Sequence, residues 1–590
     1  MNGWTGKLIK VDLSSGKIED FAVSEQLRRK YLGGRGLGVK LYSQLCPKPV
    51  EPFADENALI FLTGPLTGTA IPTAGRYQVI SRSPLTGTIF DASSGGDFGA
   101  MLKRAGLDGL IITGRAPSPV YLQVGEGGVE IKKADDLWGL DTSKTREAVV
   151  AKAAKKVSVA SIGPAGENRV FFAAIMNDKD RAAGRGGLGA VMGAKNLKAI
   201  AAGGNLEVSI HDPEGLEDLL EGIERAIDKN AVTGKSLQIL GTPVLVNIIN
   251  EHGMFPTRNF QRGVFNDAEG ISGEKIAETI LVKRSACHKC YIACGRSTRT
   301  PNDEGEGPEY ETTWAFGAQC GVNDLNAVAE ANYLCNRLGL DTITTGNTIG
   351  CAMELSEQGV FPHRLRWGDA GILKKLVEDI AYRRGVGEEL ALGSKKLAEK
   401  YGRPQLAMQV KGLEIPAYDP RGAQGQALAY ATSNRGGCHM RAYLIAPEIL
   451  GQPVFMDRFS TEGKAELVIL LQDISAAVDS LVLCRFLQIA LGISSFTEML
   501  RRVTGLDFSD EELLAVGKRI YTLERWYNSQ AGFGRKDDLL PRRFIEEKFT
   551  EGASRNRTVE LDRMLDEYYR LRGWDQEGVP LAKTMKELAV

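Results

Sequence analysis

Ala286-Cys287-His288-Lys289-Cys290-Tyr291-Ile292-Ala293-Cys294-Gly295 sets three thiols with two and then three residues between them. Thiolates so spaced can converge on one centre, and with a fourth they satisfy an iron–sulfur cluster or a closed zinc site. The other six cysteines, Cys46, Cys320, Cys335, Cys351, Cys438 and Cys484, are scattered singly. The fourth ligand must therefore arrive through the fold, and spacing alone does not name it. A structural zinc site usually brings a second paired half, Cys-x2-Cys or His-x3-His, which this chain lacks. The cluster is the stronger reading.

Outward from the triplet the chain has two textures. On its N-terminal side, short β-rich runs alternate with glycine-bearing turns: Leu8 to Leu13, Ala58 to Thr63, Tyr77 to Ile80, Leu110 to Thr113, Val120 to Val124 and Val157 to Ser161. Beyond about residue 210 the period becomes helical, as in Leu325, Val328, Ala331, Cys335 and Leu338 behind a cap at Asn323 or Asp324. Pro404, Gly412 and Pro416 mark a weaker seam between Gly402 and Tyr418. At 590 residues the chain exceeds one core. The expectation is an α+β fold of a β-rich domain, 1–210, and two mainly helical domains, 211–410 and 411–590.

Seventy-three Lys and Arg against 74 Asp and Glu leave a formal charge of −1, without the basic surplus that phosphate-backbone binding needs, so nucleic acid is not an expected partner. The apolar stretches Glu466 to Leu471 and Ala476 to Ile493 are interrupted by Asp473, Asp479, Arg485 and Gln488, so no membrane span is expected. The opening residues carry no basic-then-apolar leader. An odd number of cysteines with a ligand-like triplet fits a reducing compartment, and the cytoplasm is expected.

Four N-terminal segments combine glycine with arginine or small hydroxyl residues: Leu32 to Gly38, Thr73 to Tyr77, Ser93 to Gly96 and Asp180 to Gly187. Absent side chains let backbone N–H groups approach a phosphate, and arginine adds paired donors. Any one loop reads more simply as a turn or bulge; the four together point to a large polyanionic cofactor. Gly33 to Gly38 is not expected to follow a strand and open a helix in a βαβ unit, and none of the four loops carries Gly-Lys-Ser or Gly-Lys-Thr, which sets NAD and ATP aside.

With these loops and the triplet in this order, the sequence resembles the tungsten-dependent aldehyde ferredoxin oxidoreductases over essentially its whole length. The likeness rests on Gly64 to Gly68, Ser83 to Gly87, Ile162 to Asn168, Arg181 to Gly187, the triplet, Gly307 to Glu311, Leu338 to Thr342, Pro416 to Gly422 and Asn434 to His439. The resemblance implies a tungsten bis-molybdopterin cofactor (tungstopterin) at the domain interface, a [4Fe-4S] cluster, and magnesium bridging the pterin phosphates through the carbonyls of Ser93 and Ala182. Cys484, in Asp479-Ser480-Leu481-Val482-Leu483-Cys484, becomes the fourth cluster ligand beside Cys287, Cys290 and Cys294. Arg76 is implied to bridge pterin and cluster. Arg181, Gly184, Asp341, Arg441, Asp479 and Leu483 are further implied pterin contacts. The family carries asparagine where this chain has Ser93, and aspartate where it has Asn336, so one pterin hydrogen bond becomes neutral.

The implied reaction takes a small aldehyde and water to a carboxylic acid, or the reverse. Glu311 is the implied base, and His439 the implied donor to the carbonyl oxygen. Without the resemblance Glu311 reads as a solvated member of an acidic loop with Asp303, Glu304, Glu306 and Glu309, and His439 as a satisfied histidine beside a glycine turn. Electrons would leave through the cluster to ferredoxin or an iron–sulfur subunit, with a flavoprotein beyond it in some relatives. Some relatives are homodimers around an iron held by glutamate and histidine. Here Glu330 keeps the glutamate, but Lys374 stands at the histidine position and cannot bind iron when protonated. A homodimer or hetero-oligomer without that iron is expected. Rival readings are an aryl-CoA ring reductase, with Cys320 as a conceivable metal ligand although a small buried residue is preferred, and a non-catalytic iron–sulfur or zinc scaffold.

Overall fold

The computed structural model describes residues 2–153, 155–178 and 180–590. Twelve strands of the N-terminal part are β1 (Leu8–Asp12), β2 (Lys17–Phe21), β3 (Leu59–Leu62), β4 (Tyr77–Arg82), β5 (Ile89–Ser94), β6 (Gly109–Thr113), β7 (Val120–Gly125), β8 (Gly128–Lys133), β9 (Ser158–Ser161), β10 (Ile175–Asn177), β11 (Arg181–Ala183) and β12 (Leu197–Ala202). They form two six-stranded sheets, ordered β2-β1-β6-β3-β4-β5 and β11-β10-β9-β12-β7-β8. The pairs β1–β6 and β7–β12 are parallel and the others antiparallel. Every residue of β3 and β12 is buried, as expected of strands covered on both faces. All six strands read from the sequence are present, so the fold is α+β with a β-rich beginning.

Helices dominate from residue 213 onward. The Leu325–Leu338 helix starts where its cap predicts: Asp324 accepts from Asn326 N and Ala327 N, and Gly339 ends it in the left-handed region. The hydrophobic cores cross the sequence-level boundaries. One joins Phe61, Leu122 and Ile200 of both sheets to Val328, Ile349 and Leu376 of the helices. A second packs Ile60 and Ile80 of the first sheet against Leu481 and Ile520. A third unites Val246 and Trp314 with Tyr430, Val468 and Tyr568. The stretch 402–418, a seam in the sequence, is a hairpin of Gln409–Val410 and Leu413–Glu414 whose Leu413 and Val410 enter two different cores.

Gly33 to Gly38 opens a helix, Gly34–Leu45, but follows the Glu25–Tyr31 helix and not a strand, so no βαβ unit forms there. The glycines of this loop face other parts of the chain. A Cβ on Gly33 would lie 2.7 Å from Gly64 Cα, one on Gly36 would lie 2.8 Å from Ser480 Oγ, and one on Gly38 would meet Ile80. These glycines let the helix lie against the first sheet and the Lys464–Leu481 helix. Among the described residues no single helix is long and apolar enough to cross a membrane.

Candidate active site

The cysteine triplet is the tip of an antiparallel hairpin, Leu281–Ser285 with Gly295–Arg299, closed at its base by the Ser285–Gly295 pair. Within the tip Cys290 N donates to Cys287 O, and Lys289 and Ala293 take left-handed conformations. The tip docks on two of the glycine loops. His288 N donates to Gly96 O, its Nδ1 lies 3.0 Å from Asp97 Oδ1, and a Cβ at Gly95 would stand 2.7 Å from Cys287 Sγ. Cys484 arrives from the end of the Lys464–Leu481 helix, its N–H donating to Thr73 Oγ1 (3.0 Å). Burial pushes the Cys290 thiol up to about 11 and Cys294 well above its ordinary value, and the charge of Cys484 adds to both. All nine cysteines are free. Among the described residues no three His, Cys, Asp or Glu side chains stand at the spacing that holds a single metal ion.

The residues expected to hold the pterins lie beside this tip. Arg76 Nε donates to Ser93 Oγ (3.1 Å), joining the ends of β4 and β5, where Gln78 pairs with Ser93. Strand β11, with Arg181 and Ala182, lies against β5, so the Ser93 and Ala182 carbonyls belong to neighbouring strands. Arg181 pairs with Glu306, and burial is outweighed by Cys287, Glu306 and Glu309, which hold it protonated. Gly184 has almost nothing near a would-be Cβ. Asn336 Nδ2 donates to Glu306 O (3.4 Å). Asp341 is partly committed elsewhere: it caps the Thr342–Glu357 helix and lies 3.4 Å from Arg185 Nε.

Deeper in, Asp479 Oδ2 receives Arg441 (2.8 Å), Arg485 (2.9 Å) and Arg35 (3.3 Å). Burial alone would raise this carboxyl; the three guanidinium groups hold it well below the usual range. Arg441 also holds both oxygens of Asp91 at 2.8 Å, and Arg35 clamps Glu524 with two 2.7 Å bonds. Leu483 is buried directly beyond. Cationic side chains surround this region, and Arg441 Nε and Gln78 Oε1 are buried without hydrogen-bond partners. A donor-rich lining with orphaned polar atoms fits a polyanionic heterocycle.

Glu311 stands in the first turn of the Tyr310–Phe316 helix. Its Oε2 accepts from Ala417 N (2.9 Å), while its Oε1 has no hydrogen-bond partner among the described residues and lies 3.7 Å from His439 Nε2. Burial, opposed by the Ala417 bond and Arg185, pushes the carboxyl up to about 8. Burial and the cations Arg185, Arg435 and Arg485 push His439 well below the usual imidazole range, and its Nδ1 is unpartnered. Near pH 7 both groups are thus mainly uncharged. The acidic neighbours are spoken for: Arg337 takes Asp303, Arg181 takes Glu306, and Thr242 donates to Glu309 at 2.5 Å. Glu311 and His439 line one cavity of about 390 Å³ with Tyr310, Tyr418, Tyr443 and a largely aliphatic wall that includes Leu237, Leu245 and Leu471.

The family models for the aldehyde ferredoxin oxidoreductase N-terminal domain and for its domains 2 and 3 match residues 8–204 and 218–590. The chain belongs to the aldehyde ferredoxin oxidoreductase family. It is 48% identical to the tungsten-containing aldehyde ferredoxin oxidoreductase of Pyrococcus furiosus, covering 100% of this chain and 99% of that one. It is 46% identical to that of Thermococcus kodakarensis with the same coverage. An aliphatic sulfonate oxidoreductase, WOR-like subunit, of P. furiosus is 30% identical over 100% of this chain and 97% of its own. Among solved structures, the active site complex BamBC of benzoyl coenzyme A reductase with 1,5-dienoyl-CoA superposes with a TM-score of 0.86 at 24% identity, covering 100% and 97%, which speaks to the fold alone. The protein is an oxidoreductase.

Residues outside the family-derived set also shape this site. Cys438 Sγ accepts from Arg435 (3.0 and 3.3 Å) and Met440 N (3.3 Å). Arg435, Arg441 and Arg185 outweigh burial and draw its thiol down to about 7. Arg185 donates to Glu414 O and Gly437 O. The sequence signal existed, since Arg435 and Cys438 flank the glycines of the motif before His439. Cys320 is fully buried, with its Sγ donating to Ala315 O (3.3 Å) and its thiol pushed up by burial; it does not line the cavity. Lys374 Nζ lies 3.1 Å from Glu330 Oε2, so the lysine expected to replace a metal-binding histidine is an ion-pair partner of that glutamate.

Proposed function

We propose that the chain oxidises aldehydes with water to carboxylic acids and passes two electrons through a [4Fe-4S] cluster to ferredoxin or an iron–sulfur partner subunit. Glu311 and His439 side by side in the apolar cavity, next to a cation-rich lining and four neighbouring thiols, carry this reading. Arg76, Arg181, Gly184, Asn336, Asp341, Arg441, Asp479 and Leu483 would hold the tungstopterin. Ser93 and Ala182 would offer carbonyls to its magnesium, and Cys287, Cys290, Cys294 and Cys484 would hold the cluster. Bound tungsten supplies a two-electron acceptor.

Conversion of RCHO and water to RCOOH releases two electrons and two protons. Ionised Glu311 takes a proton from the attacking water, and its raised pKa makes it an effective base near neutral to alkaline pH. Neutral His439 retains one N–H, which donates to the aldehyde oxygen as charge develops there. The aliphatic wall keeps bulk water from the reacting carbon. With a strong enough reductant the same groups serve acid reduction. The Glu330–Lys374 pair favours assembly without an interfacial iron, and thiolate ligands suit the cytoplasm.

Elemental analysis of purified protein, followed by turnover with aldehydes and with aryl-CoA esters against a low-potential acceptor, tests the proposal. Tungsten, about four irons per chain and aldehyde turnover are expected. Zinc alone, or turnover only of aryl-CoA esters, would overturn it.

A further inference from the structure

Two polar side chains that line the cavity, Gln452 and Gln488, have no part in this chemistry, and Gln488 is the one with an unmet buried donor. Gln488 lies on the short Leu487–Ala490 helix and lines the same cavity as Glu311 and His439. Among the described residues its Nε2 is buried without a hydrogen-bond partner, and a buried amide donor left unmet is destabilising.

Gln452 also lines the cavity, next in sequence to the exposed Pro453 and Val454; the hydroxyl and guanidinium groups of the wall are engaged. Tyr418 and Tyr443 hydroxyls bond each other at 3.1 Å, the Thr242 hydroxyl donates to Glu309, and the Ser475 hydroxyl receives Arg485. Arg485 also lies 2.9 Å from Asp479, so the guanidinium of this wall is already neutralised. A charged tail would lose its hydration against aliphatic side chains with no free counter-charge. The wall therefore selects an uncharged body, while Gln488 presents one amide N–H to it.

We propose that Gln488 is a specificity-determining residue, whose amide donates to an acceptor oxygen carried on the apolar body of an uncharged aldehyde, away from the reacting carbonyl. Ethers, phenols and ketones on an aryl or alkyl frame have this chemistry. The inference rests on the aldehyde-oxidising reading of the site. Val454 lines the same cavity yet is 69% exposed, so it marks the mouth, and bodies longer than the cavity emerge past it.

The test uses cofactor-loaded full-length protein with meta- and para-methoxybenzaldehyde against meta- and para-ethylbenzaldehyde, which match in bulk but lack the oxygen. Wild type is expected to show a lower KM for at least one methoxy isomer than for its ethyl counterpart. Gln488→Met, close in shape but without the donor, is expected to raise that methoxy KM about threefold to tenfold with kcat unchanged and the ethyl KM not raised. Equal shifts for both series, or none, would overturn the proposal. Calorimetry of the corresponding benzyl alcohols on wild type reads the same discrimination without turnover or a variant. Discrimination among alcohols with no aldehyde oxidised would remove the proposed activity and leave Gln488 as a binding determinant. Oxidation of both series with equal affinity would remove Gln488 alone.

Discussion

Replacing Glu311 by glutamine separates the proton-transfer role of this carboxylate from a purely structural one. With its pKa pushed up to about 8, Glu311 is about one-tenth ionised at pH 7 and about nine-tenths ionised at pH 9. If the ionised form is the base, wild-type turnover at saturating aldehyde rises roughly ninefold across that interval. Glu311→Gln keeps the size of the side chain and an oxygen for Ala417 N. It is expected to retain tungsten and iron, to lose about 10²- to 10⁴-fold in turnover, and to lose the rise with pH. A second readout follows from linkage. The folded pKa is raised, so the ionised form is the disfavoured one: burying Glu311 costs nothing below the ordinary carboxyl pKa, and the cost grows as pH rises toward about 8. The accumulated difference is on the order of 5 kcal/mol. The denaturant midpoint of wild type should accordingly fall relative to Glu311→Gln between about pH 5 and 8. Near-normal turnover of a metal-replete Glu311→Gln protein, or an unchanged pH profile, would refute the reasoning.

Three further outcomes are expected. Cys484→Ala should lose cluster iron, whereas Cys351→Ala, altering a thiol fully buried in the Thr342–Glu357 helix, should keep it; equal iron by elemental analysis in the two variants would exclude Cys484 as a ligand. Gly95→Ala sets a methyl 2.7 Å from Cys287 Sγ and should lower iron per chain, which iron analysis and the cluster's visible absorption would report. Asp479→Asn removes the carboxylate that Arg485 pairs with and leaves Arg441 and Arg35 with Asp91 and Glu524, and should destabilise the fold by about 3–5 kcal/mol in denaturant titration. Because the Asp479 carboxyl is held below its ordinary value of 3.8, its contribution is present above that pH and is lost as pH falls toward the lower folded value. The variant should therefore lack this part of the acid sensitivity.

Elements whose own residues decide them were legible in the sequence. Strands β3 and β6 are short runs rich in Leu and Ile, β1 sets buried Leu8, Ile9 and Val11 beside half-buried Lys10 and Asp12, and the Leu325–Leu338 helix carries its period and its Asp324 cap. Strands β10 and β11, three residues each, are too short for a period of two to show. Gly33 to Gly38 read as a cradle because glycine spacing does not reveal what will approach; Gly64, Ser480 and Ile80 come from distant parts of the chain. Glu311 looked solvated among acidic neighbours because Arg181, Arg337 and Thr242, which engage three of them, are far away in sequence. Gln488 gave no signal at all, since an amide acquires meaning only once a cavity surrounds it.

Val482 ends the Lys464–Leu481 helix in the left-handed region, φ 63° and ψ 45°, a conformation that a β-branched residue enters only at a cost of roughly 1–3 kcal/mol. Its side chain occupies room left by two glycines: a Cβ on Gly64 would stand 2.8 Å from Val482 Cγ2, and one on Gly34 would be closer still. The turn that aims Cys484 is thus a three-body lock spanning both ends of the polypeptide. Glycine should persist at 34 and 64 whatever stands at 482, because a Cβ at either would also meet a backbone oxygen at 2.5 Å, that of Asp479 or of Leu481.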